Sequence, residues 1–134
     1  MNRLHRLTAA SVFTYALVLY ASTMARTASF WDAGEFIASA YGLQVMHPPG
    51  APVYMLIGRL FSMFVPAAYV APAVNLVSVL ASAVTVLLAY LIIVRLIRYW
   101  RPGEGGPDWI TVAGGVVGAC TFAATDSFWF NAVE

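Results

Sequence analysis

The stretch of residues 73–94, AVNLVSVLASAVTVLLAYLIIV, contains no charged side chain. A helix needs roughly 20 predominantly apolar residues to cross the hydrocarbon core of a bilayer, and this run is long enough. We therefore predict a transmembrane helix over residues 72–98. Two further apolar runs predict spans at residues 7–24 and 109–126, the second of them shorter and rich in glycine. The pattern favours an all-α integral membrane protein with about three transmembrane helices.

The composition of the chain supports this class. Of 134 residues, 61% are hydrophobic and 10% are charged, and the mean hydropathy is +0.78. Soluble domains are typically about 45–50% apolar and about 25% charged. A chain of this size cannot hide so much apolar surface from water, so the bilayer is the expected solvent. The net charge of +1 gives no nucleic-acid footprint, and the single cysteine, Cys120, excludes a disulfide within the chain.

The distribution of arginines predicts the orientation of the spans, because cytoplasmic loops carry an excess of basic residues. Placing the N-terminus and an inner loop at residues 99–108 inside gives five inner arginines and two outer ones, Arg26 and Arg59. We therefore expect a protein of a bacterial inner membrane or plasma membrane, with its N-terminus in the cytoplasm. An outer loop at residues 25–70 and an outer segment at residues 127–134 would then share the opposite face. The basic start also fits a cleaved signal peptide, but the apolar run that follows is long and lacks a clean cleavage site.

The outer loop contains two predicted helices, near residues 29–46 and 53–65. Ser29 fits the N-cap position of the first helix, with Asp32 at the third position after it. This helix should end at the HPPGAP motif of residues 47–52, whose three prolines and glycine predict a stiff turn. The second helix is too short to cross a bilayer, so we expect it to be interfacial or re-entrant.

Two carboxylates in the first outer helix are the main candidates for chemistry. Asp32 and Glu35 are three residues apart, which places them on one face of a helix. They could instead only cap the helix, since negative charge is favoured at a helix start. No P-loop, GxSxG, HExxH or dinucleotide motif is present. A divalent cation held by both carboxylates is an alternative, whereas two histidines predicted on opposite sides of the membrane do not favour a histidine-based metal site.

Transfer of a sugar from a lipid phosphate to a hydroxyl group needs little more than these side chains. Phosphate is a good leaving group, so one carboxylate must accept the proton of the acceptor, and cationic groups must hold the phosphate. A single base opposite the leaving group implies inversion at the sugar carbon. In this hypothesis Asp32 is the base, Glu35 orients it or the acceptor, and Arg26 or Arg59 faces the phosphate.

A resemblance to a known family adds weight to this hypothesis. The motif DxGE at residues 32–35 is followed by HPPGxP at residues 47–52, and PAVNLVSVLASA and SFWFNAVE come later. This combination resembles the start of a family of multi-pass membrane proteins that was long catalogued as a domain of unknown function. The family includes an animal protein O-mannosyltransferase and belongs to the GT-C glycosyltransferase superfamily.

The resemblance implies a catalytic site in the first outer loop of a GT-C fold, with no certain cofactor. The donor would be a polyprenyl-phosphate sugar, mannose or a related hexose, and the acceptor a hydroxyl group such as Ser or Thr of an exported protein. Asp32 would be the catalytic carboxylate, with Glu35 beside it. The substrate-binding residues that we expect around them are His47, Arg59, Arg26, Trp31, Asp126 and Glu134.

Two readings without this chemistry stay open. GT-C enzymes have many more spans and usually a soluble outer domain, so we expect this chain to be the N-terminal part of a longer protein. It could instead be a small non-enzymatic membrane protein that packs against a partner helix through the GxxxG pair Gly114 and Gly118. It could also be a fragment of a transporter that handles a lipid-linked substrate with the same carboxylates.

Overall fold

The computed structural model describes residues 3–29, 31–100 and 108–134. Within these residues the chain is all-α and contains no strand, which confirms the predicted secondary-structure class. A short 3-10 turn, Ala67–Tyr69, precedes the fourth helix, and most of the predicted inner loop lies outside the described residues. The α-helices are α1 (Arg3–Thr23), α2 (Ala33–Gly42), α3 (Pro52–Ser62), α4 (Val70–Trp100), α5 (Asp108–Ala123) and α6 (Asp126–Ala132).

Helix α4 is the centre of the structure. It is 31 residues long, packs against α1 and α5 along its length, and also contacts α2, α3 and α6. Its buried residues Val79, Ala83 and Val86 recur at helical spacing and form one core with the two neighbouring long helices. Its exposed side is apolar as well, with Leu88 and Ile92 open to the surroundings. A helix that is apolar all round requires an apolar environment on every side.

Helix α1 packs on α4 through a stripe of residues at three- to four-residue spacing. Ala9, Val12, Ala16 and Tyr20 are all buried in the shared core. The small alanine side chains allow the two helices to approach closely. The Tyr20 hydroxyl donates a hydrogen bond to the carbonyl oxygen of Ala123 at 3.0 Å, so the end of α1 lies beside the end of α5.

A polar cluster around the buried His5 joins the start of α1 to the end of α4. His5 is fully buried, and its Nδ1 lies 3.2 Å from the Tyr90 hydroxyl. The guanidinium of Arg98 contacts Nε2 of the same ring. The start of α1 therefore lies beside the end of α4, and the two helices are antiparallel. Consequently the acidic segments around α2 and α6 lie at one end of the three-helix bundle, and Arg98 lies at the other end.

Helix α5 approaches α4 closely through its glycines. A Cβ atom added to Gly114 would lie 2.8 Å from Cδ1 of Ile97, and one added to Gly118 would lie 2.7 Å from Cδ1 of Ile93. The GxxxG pair thus allows close helix packing, as predicted, but its neighbour is α4 of the same chain. The face formed by the two glycines is thus covered within the chain, and contact with a helix of a partner protein stays a prediction.

One helix among the described residues is long and apolar enough to cross a membrane. It comprises α4 and the turn before it, Ala67–Trp100, 34 residues in all. Helices α5 and α6 pass the same test only together, as a span broken by a bend of 70°. Helix α1 does not pass, since its basic first turn and its serine and threonine side chains reduce its apolar character. By length and composition the structure supports one or two spans, and the predicted three are not confirmed.

Helix α2, the first helix predicted in the loop between the first two spans, is shorter than the predicted 29–46. Asp32 occupies its N-cap position, so the prediction that Ser29 caps this helix is wrong. The Ser29 hydroxyl is buried and has no hydrogen-bond partner among the described residues. The helix starts late because Trp31, with a φ of 62°, leaves the helical path directly before Asp32. It ends early because Leu43 adopts a left-handed conformation with a φ of 49°.

Helices α2 and α3 form a hairpin that packs on the start of α4. A Cβ atom added to Gly58 of α3 would lie 2.9 Å from Cβ of Ala40, so the two short helices are in close contact. Helix α3 has eleven residues, close to the predicted length, and exposes Leu56 and Leu60. The buried residues of this second core are Ala40, Met46, Met55, Val70 and Val74. The hairpin core positions the acidic motif over the end of the bundle.

Candidate functional site at the end of the bundle

The acidic motif begins at a strained turn. Trp31 has a φ of 62°, a left-handed conformation that costs a non-glycine residue on the order of 1–3 kcal/mol. The surrounding structure must therefore hold it in place. The turn leaves the Trp31 side chain 88% exposed and starts α2 with Asp32. Glu35 follows in the first turn of α2, and a carboxylate oxygen of Glu35 lies within 4.8 Å of one of Asp32, as their spacing predicts.

Glu35 is bound by the turn that follows α2. Its Oε1 accepts a hydrogen bond from the backbone N–H of His47 at 2.8 Å. Its Oε2 lies 2.7 Å from Nδ1 of the His47 ring. Both carboxylate oxygens are thus engaged by one residue of the HPPGAP motif. The interaction closes the loop between α2 and α3.

The contact between Glu35 and His47 shifts the pKa of both groups. Hydrogen bonds from the backbone and ring of His47 lower the pKa of Glu35. The hydrogen bond to Glu35 and its negative charge raise the pKa of His47, with a smaller contribution from Asp32. His47 therefore carries a proton over a wider pH range than a free histidine, and its Nδ1–H then donates to Glu35. Water reaches both side chains and screens this pair.

Asp32 is the carboxylate that stays open. Its Oδ2 lies 3.8 Å from Nε2 of His47, which is longer than a hydrogen bond. The side chain is 59% exposed and makes no capping bond to α2. Glu35 thus binds Nδ1 of the His47 ring, and Nε2 of the same ring faces Asp32. A base oriented by a second group, itself held by a third, is a common arrangement in catalytic sites.

The same three side chains could hold a cation. Asp32, Glu35 and His47 each offer one ligand atom, and these atoms lie within 4.8 Å of one another. Carboxylate oxygens and imidazole nitrogens both bind divalent metal ions. However, Nδ1 of His47 and Oε2 of Glu35 already bind each other, so a cation could use these atoms only by separating them. The cation alternative gains a third candidate ligand and no independent support.

A cavity of about 270 Å³ opens beside Asp32. It lies where the linker before α2 meets α2, α3, α4 and α6. Its lining combines aromatic rings with amide, hydroxyl and carboxylate groups, a composition typical of small-molecule sites. Among the described lining residues there is no arginine or histidine. The lining consists of Trp31, Asp32, Ala33, Phe36, Tyr54, Asn75, Ser78, Asn131 and Glu134.

The linker between α1 and α2 is attached to two other elements at Ala25. Its carbonyl oxygen accepts a hydrogen bond from Nδ2 of Asn75 at 3.0 Å. Its N–H donates to the carbonyl oxygen of Val133 at 2.8 Å. Asn75 thus makes an interhelical hydrogen bond of the kind that membrane helices use, although its partner belongs to a linker. The two bonds bring the start of α4 and the segment after α6 to the cavity.

Three of the predicted substrate-binding residues lie in the cavity lining or beside Asp32. Trp31 stands at the strained turn, and Glu134 enters the lining from the segment after α6. His47 lies outside the lining but faces Asp32 across 3.8 Å. These three residues come from separate parts of the chain, and the structure brings them together.

The other three predicted substrate-binding residues lie elsewhere. The Arg59 guanidinium donates to the carbonyl oxygen of Tyr41 and lies 5.4 Å from the centre of the Tyr41 ring. Arg26 is exposed in the linker before α2. Asp126 lies at the start of α6, in a separate shallow depression on the surface. None of the three lines the cavity.

Six lining residues were not among the site residues expected from the sequence: Ala33, Phe36, Tyr54, Asn75, Ser78 and Asn131. The Phe36 and Tyr54 rings pack edge to face, with their centres 5.3 Å apart. Tyr54, Ser78 and Asn131 are polar residues within apolar helices, and this pattern is the indication of a site that the sequence contains. The sequence does not show which of these helix faces meet at the cavity, because that depends on the tertiary structure.

The fold and site define a class: an all-α chain with a membrane-length helix and a carboxylate–histidine cluster beside a small cavity. Residues 32–134 match the model of the family described as the protein O-mannosyl-transferase TMEM260 N-terminal domain. The match covers more than three quarters of the chain, and the chain therefore belongs to this family. The resemblance inferred from the sequence motifs is confirmed.

Two relatives are similar over shorter segments. The protein O-mannosyl-transferase TMEM260 of Mus musculus is 35% identical over 86 residues, which is 64% of this chain and 12% of the mouse protein. The protein O-mannosyl-transferase tmem260 of Dictyostelium discoideum is 36% identical over 55 residues, 41% of this chain and 7% of that protein. The chain thus spans only a small part of the length of these relatives. No solved structure matches it.

Proposed function

We propose that this chain is the N-terminal membrane part of a glycosyltransferase of the GT-C type. The reaction moves a mannose-like sugar from a polyprenyl-phosphate donor to a hydroxyl group, such as Ser or Thr of an exported protein. The names of the mouse and Dictyostelium relatives support O-mannosyl transfer. A helix of membrane length supports a lipid-linked donor, because such a donor is confined to the bilayer. The activity is proposed for a longer protein that contains this chain.

The division of roles between the two carboxylates carries the proposal. Both oxygens of Glu35 are engaged by His47, whereas Asp32 is open beside the cavity. A general base must reach the proton that it removes within hydrogen-bond distance. Asp32 meets this requirement for a ligand in the cavity. Glu35 and His47 are positioning residues, which refines the expectation that both carboxylates are catalytic.

The transfer is a single displacement. The acceptor oxygen forms a bond to the anomeric carbon, and the bond from that carbon to the phosphate oxygen breaks with its electron pair leaving on the phosphate. The Asp32 carboxylate takes the proton of the acceptor hydroxyl. One displacement inverts the configuration at the anomeric carbon. No acid is needed for the leaving group, and the open carboxylate alone therefore satisfies the proton balance.

The proposed topology places α1, α4 and the α5–α6 pair across the membrane, with the N-terminus in the cytoplasm. Residues that α1 and α5 expose, such as Val18 and Val117, are apolar, which suits contact with lipid. Arg98 lies at one end of the bundle and the acidic cluster at the other, and this fits the positive-inside rule. The proposed site then faces the outer side, where the short helix α3 would lie at the lipid surface.

Replacement of Asp32 by Asn in the complete protein tests the proposed base. Asn keeps the size of the side chain but cannot accept the proton, and loss of a general base typically lowers a rate about 10²- to 10⁴-fold. We expect such a loss of kcat in an assay with polyprenyl-phosphate mannose and a peptide that contains Ser and Thr. Retention of the protein in alkali-washed membranes checks that insertion is unchanged.

Unchanged transfer by the Asp32→Asn protein would remove Asp32 from the reaction. Absence of transfer by the unaltered protein with any polyprenyl-phosphate hexose would refute the proposed function. The alternative of a non-enzymatic protein that packs through Gly114 and Gly118 has lost its main support, because α4 covers these glycines. No observation favours the transporter alternative over the transferase.

A further inference from the structure

The cavity beside Asp32 has a polar lining that can both donate and accept hydrogen bonds. Nδ2 of Asn75 donates to the carbonyl oxygen of Ala25, and Nδ2 of Asn131 donates to that of Ser127 at 2.7 Å. An asparagine side chain has two N–H donors and one acceptor oxygen, so each asparagine keeps one N–H and its oxygen for a ligand in the cavity. The hydroxyl groups of Tyr54 and Ser78 in the lining can also donate and accept.

The charged groups of the lining are both carboxylates. Asp32 and Glu134 line the cavity, and ionised carboxylates only accept hydrogen bonds. No cationic side chain is among the described lining residues. A phosphate group would meet negative charge there, and like charges repel at close range. The lining instead suits a neutral ligand with several hydroxyl groups, which can both donate and accept hydrogen bonds.

Aromatic rings complete the lining. Trp31 is 88% exposed at the edge of the cavity, and the Phe36 and Tyr54 rings pack edge to face within it. Rings of this kind provide a rigid apolar surface against which the C–H face of a sugar can pack. The cavity volume of about 270 Å³ lies just below the range of roughly 300–1,000 Å³ for sites that bind drug-sized ligands. It suits one sugar ring rather than a lipid chain.

We infer that this cavity is the subsite for the pyranose ring of the donor, with Asn131 and Glu134 reading its hydroxyl groups. The inference rests on the proposed function and extends it, because it assigns the sugar and the phosphate to different places. The hydroxyl groups of the ring donate to the acceptor oxygens of the lining, and Trp31 packs on one face. The phosphate and its lipid lie outside the cavity. Asn131 is a specificity residue that lies far from the DxGE motif in sequence.

The test compares Asn131→Ala with Ser127→Ala in the complete protein. Asn131 is exposed on α6, so its truncation should leave the fold intact, and Ser127 is an exposed neighbour on the same helix outside the cavity lining. Transfer is measured with polyprenyl-phosphate mannose and with its glucose counterpart, which differ in the configuration of one hydroxyl group. The readouts are KM for the donor, KM for the acceptor peptide, and the ratio of kcat/KM between the two donors.

We expect Asn131→Ala to raise donor KM or change the donor ratio about tenfold, as for one lost hydrogen bond to a ligand. Ser127→Ala should leave both values unchanged. Trp31→Ala should raise donor KM and leave acceptor KM unchanged. These shifts separate recognition of the sugar from a general loss of structure, since a structural defect would not alter the preference between two donors.

Two outcomes would overturn the inference. Donor KM and donor ratio could stay unchanged in both Asn131→Ala and Trp31→Ala, or only the acceptor KM could rise, which would assign the cavity to the peptide. The Asp32→Asn experiment separates these failures from failure of the proposed function. If Asp32→Asn abolishes transfer while the cavity variants behave like the unaltered protein, only the sugar subsite is refuted.

Discussion

The three-helix bundle and the α2–α3 hairpin are built in different ways. In the bundle, α1, α4 and α5 meet through alanine, glycine and valine, and the core residues recur at regular helical spacing. The hairpin region comprises α2, α3 and the linker before α2. In this region, distant segments are joined by polar contacts, such as Glu35 with His47 and Ala25 with Asn75. The bundle gains stability from close packing, whereas the hairpin region holds partly exposed polar groups in place beside a cavity.

Because of this difference, substitutions in the bundle core should mainly affect stability, and substitutions in the acidic cluster should mainly affect reactivity. Side chains of the bundle core are buried, and a change in their volume must disturb the packing. Asp32, Glu35 and His47 are 41–59% exposed, so their replacement should cost little stability and mainly change chemistry. We therefore expect substitutions in the bundle to unfold the protein and substitutions in the acidic cluster to leave it folded.

The largest effect on stability is expected from Gly115→Leu in the bundle. A Cβ atom at this position would lie 2.7 Å from Cγ2 of Val94 and 2.9 Å from Cε2 of Tyr90, so α5 must move away from α4. Overpacking of this kind typically costs about 1–3 kcal/mol, and a leucine side chain should reach the upper end. Denaturant unfolding in detergent measures the loss. Val117→Leu, at a 66% exposed position of α5, is the control and should be neutral.

A smaller effect is expected from Asn75→Ala, which breaks a contact between the bundle and the hairpin region. The carbonyl oxygen of Ala25 would lose its side-chain partner, and a hydrogen bond of this part-buried kind contributes about 0.5–1.5 kcal/mol. The change should loosen the linker before α2 more than it loosens the bundle, so hydrogen exchange should accelerate at residues 24–32. Ser82→Ala on α4 is the control. Equal acceleration throughout α4 would contradict the division into two regions.

The smallest effect on stability is expected from Glu35→Gln, which should destabilise the protein by an amount that depends on pH. The folded pKa of His47 is raised, so its contribution is complete below the ordinary imidazole value of 6.5 and is lost as pH rises through the folded pKa. The folded pKa of Glu35 is lowered, so its contribution is complete above the ordinary value of 4.5 and is lost as pH falls through the folded pKa. The pair therefore contributes most between these two values.

Histidine NMR titration measures this pair directly. The pKa of His47 should lie above its ordinary value in the unaltered protein and should fall in Glu35→Gln, because the negative charge is removed. Gln44→Ala, an exposed neighbour in the same loop, should leave the titration unchanged. An unshifted His47 in the unaltered protein would show that the contact with Glu35 does not persist in solution.

Much of the bundle could be read from the sequence, because its signals are local. The uncharged run of α4 and the glycines of α5 each indicate a helix or its packing by composition and spacing alone. The orientation predicted from the arginines at the end of α4 stays a prediction. The bounds of α2 could not be read in this way. Its start depends on the left-handed conformation of Trp31, and a tryptophan gives no local indication of such a turn.

The sequence by itself determined the helical class, the membrane-length helix, the family and the proximity of Asp32 and Glu35, because each depends on residue type and spacing. Only the tertiary structure decided that Glu35 binds His47, that α4 covers the α5 glycines, and that Asn131 lies at the cavity while Arg59 does not. These contacts join residues far apart in the chain. Local spacing cannot encode them, because they depend on how whole helices pack against one another.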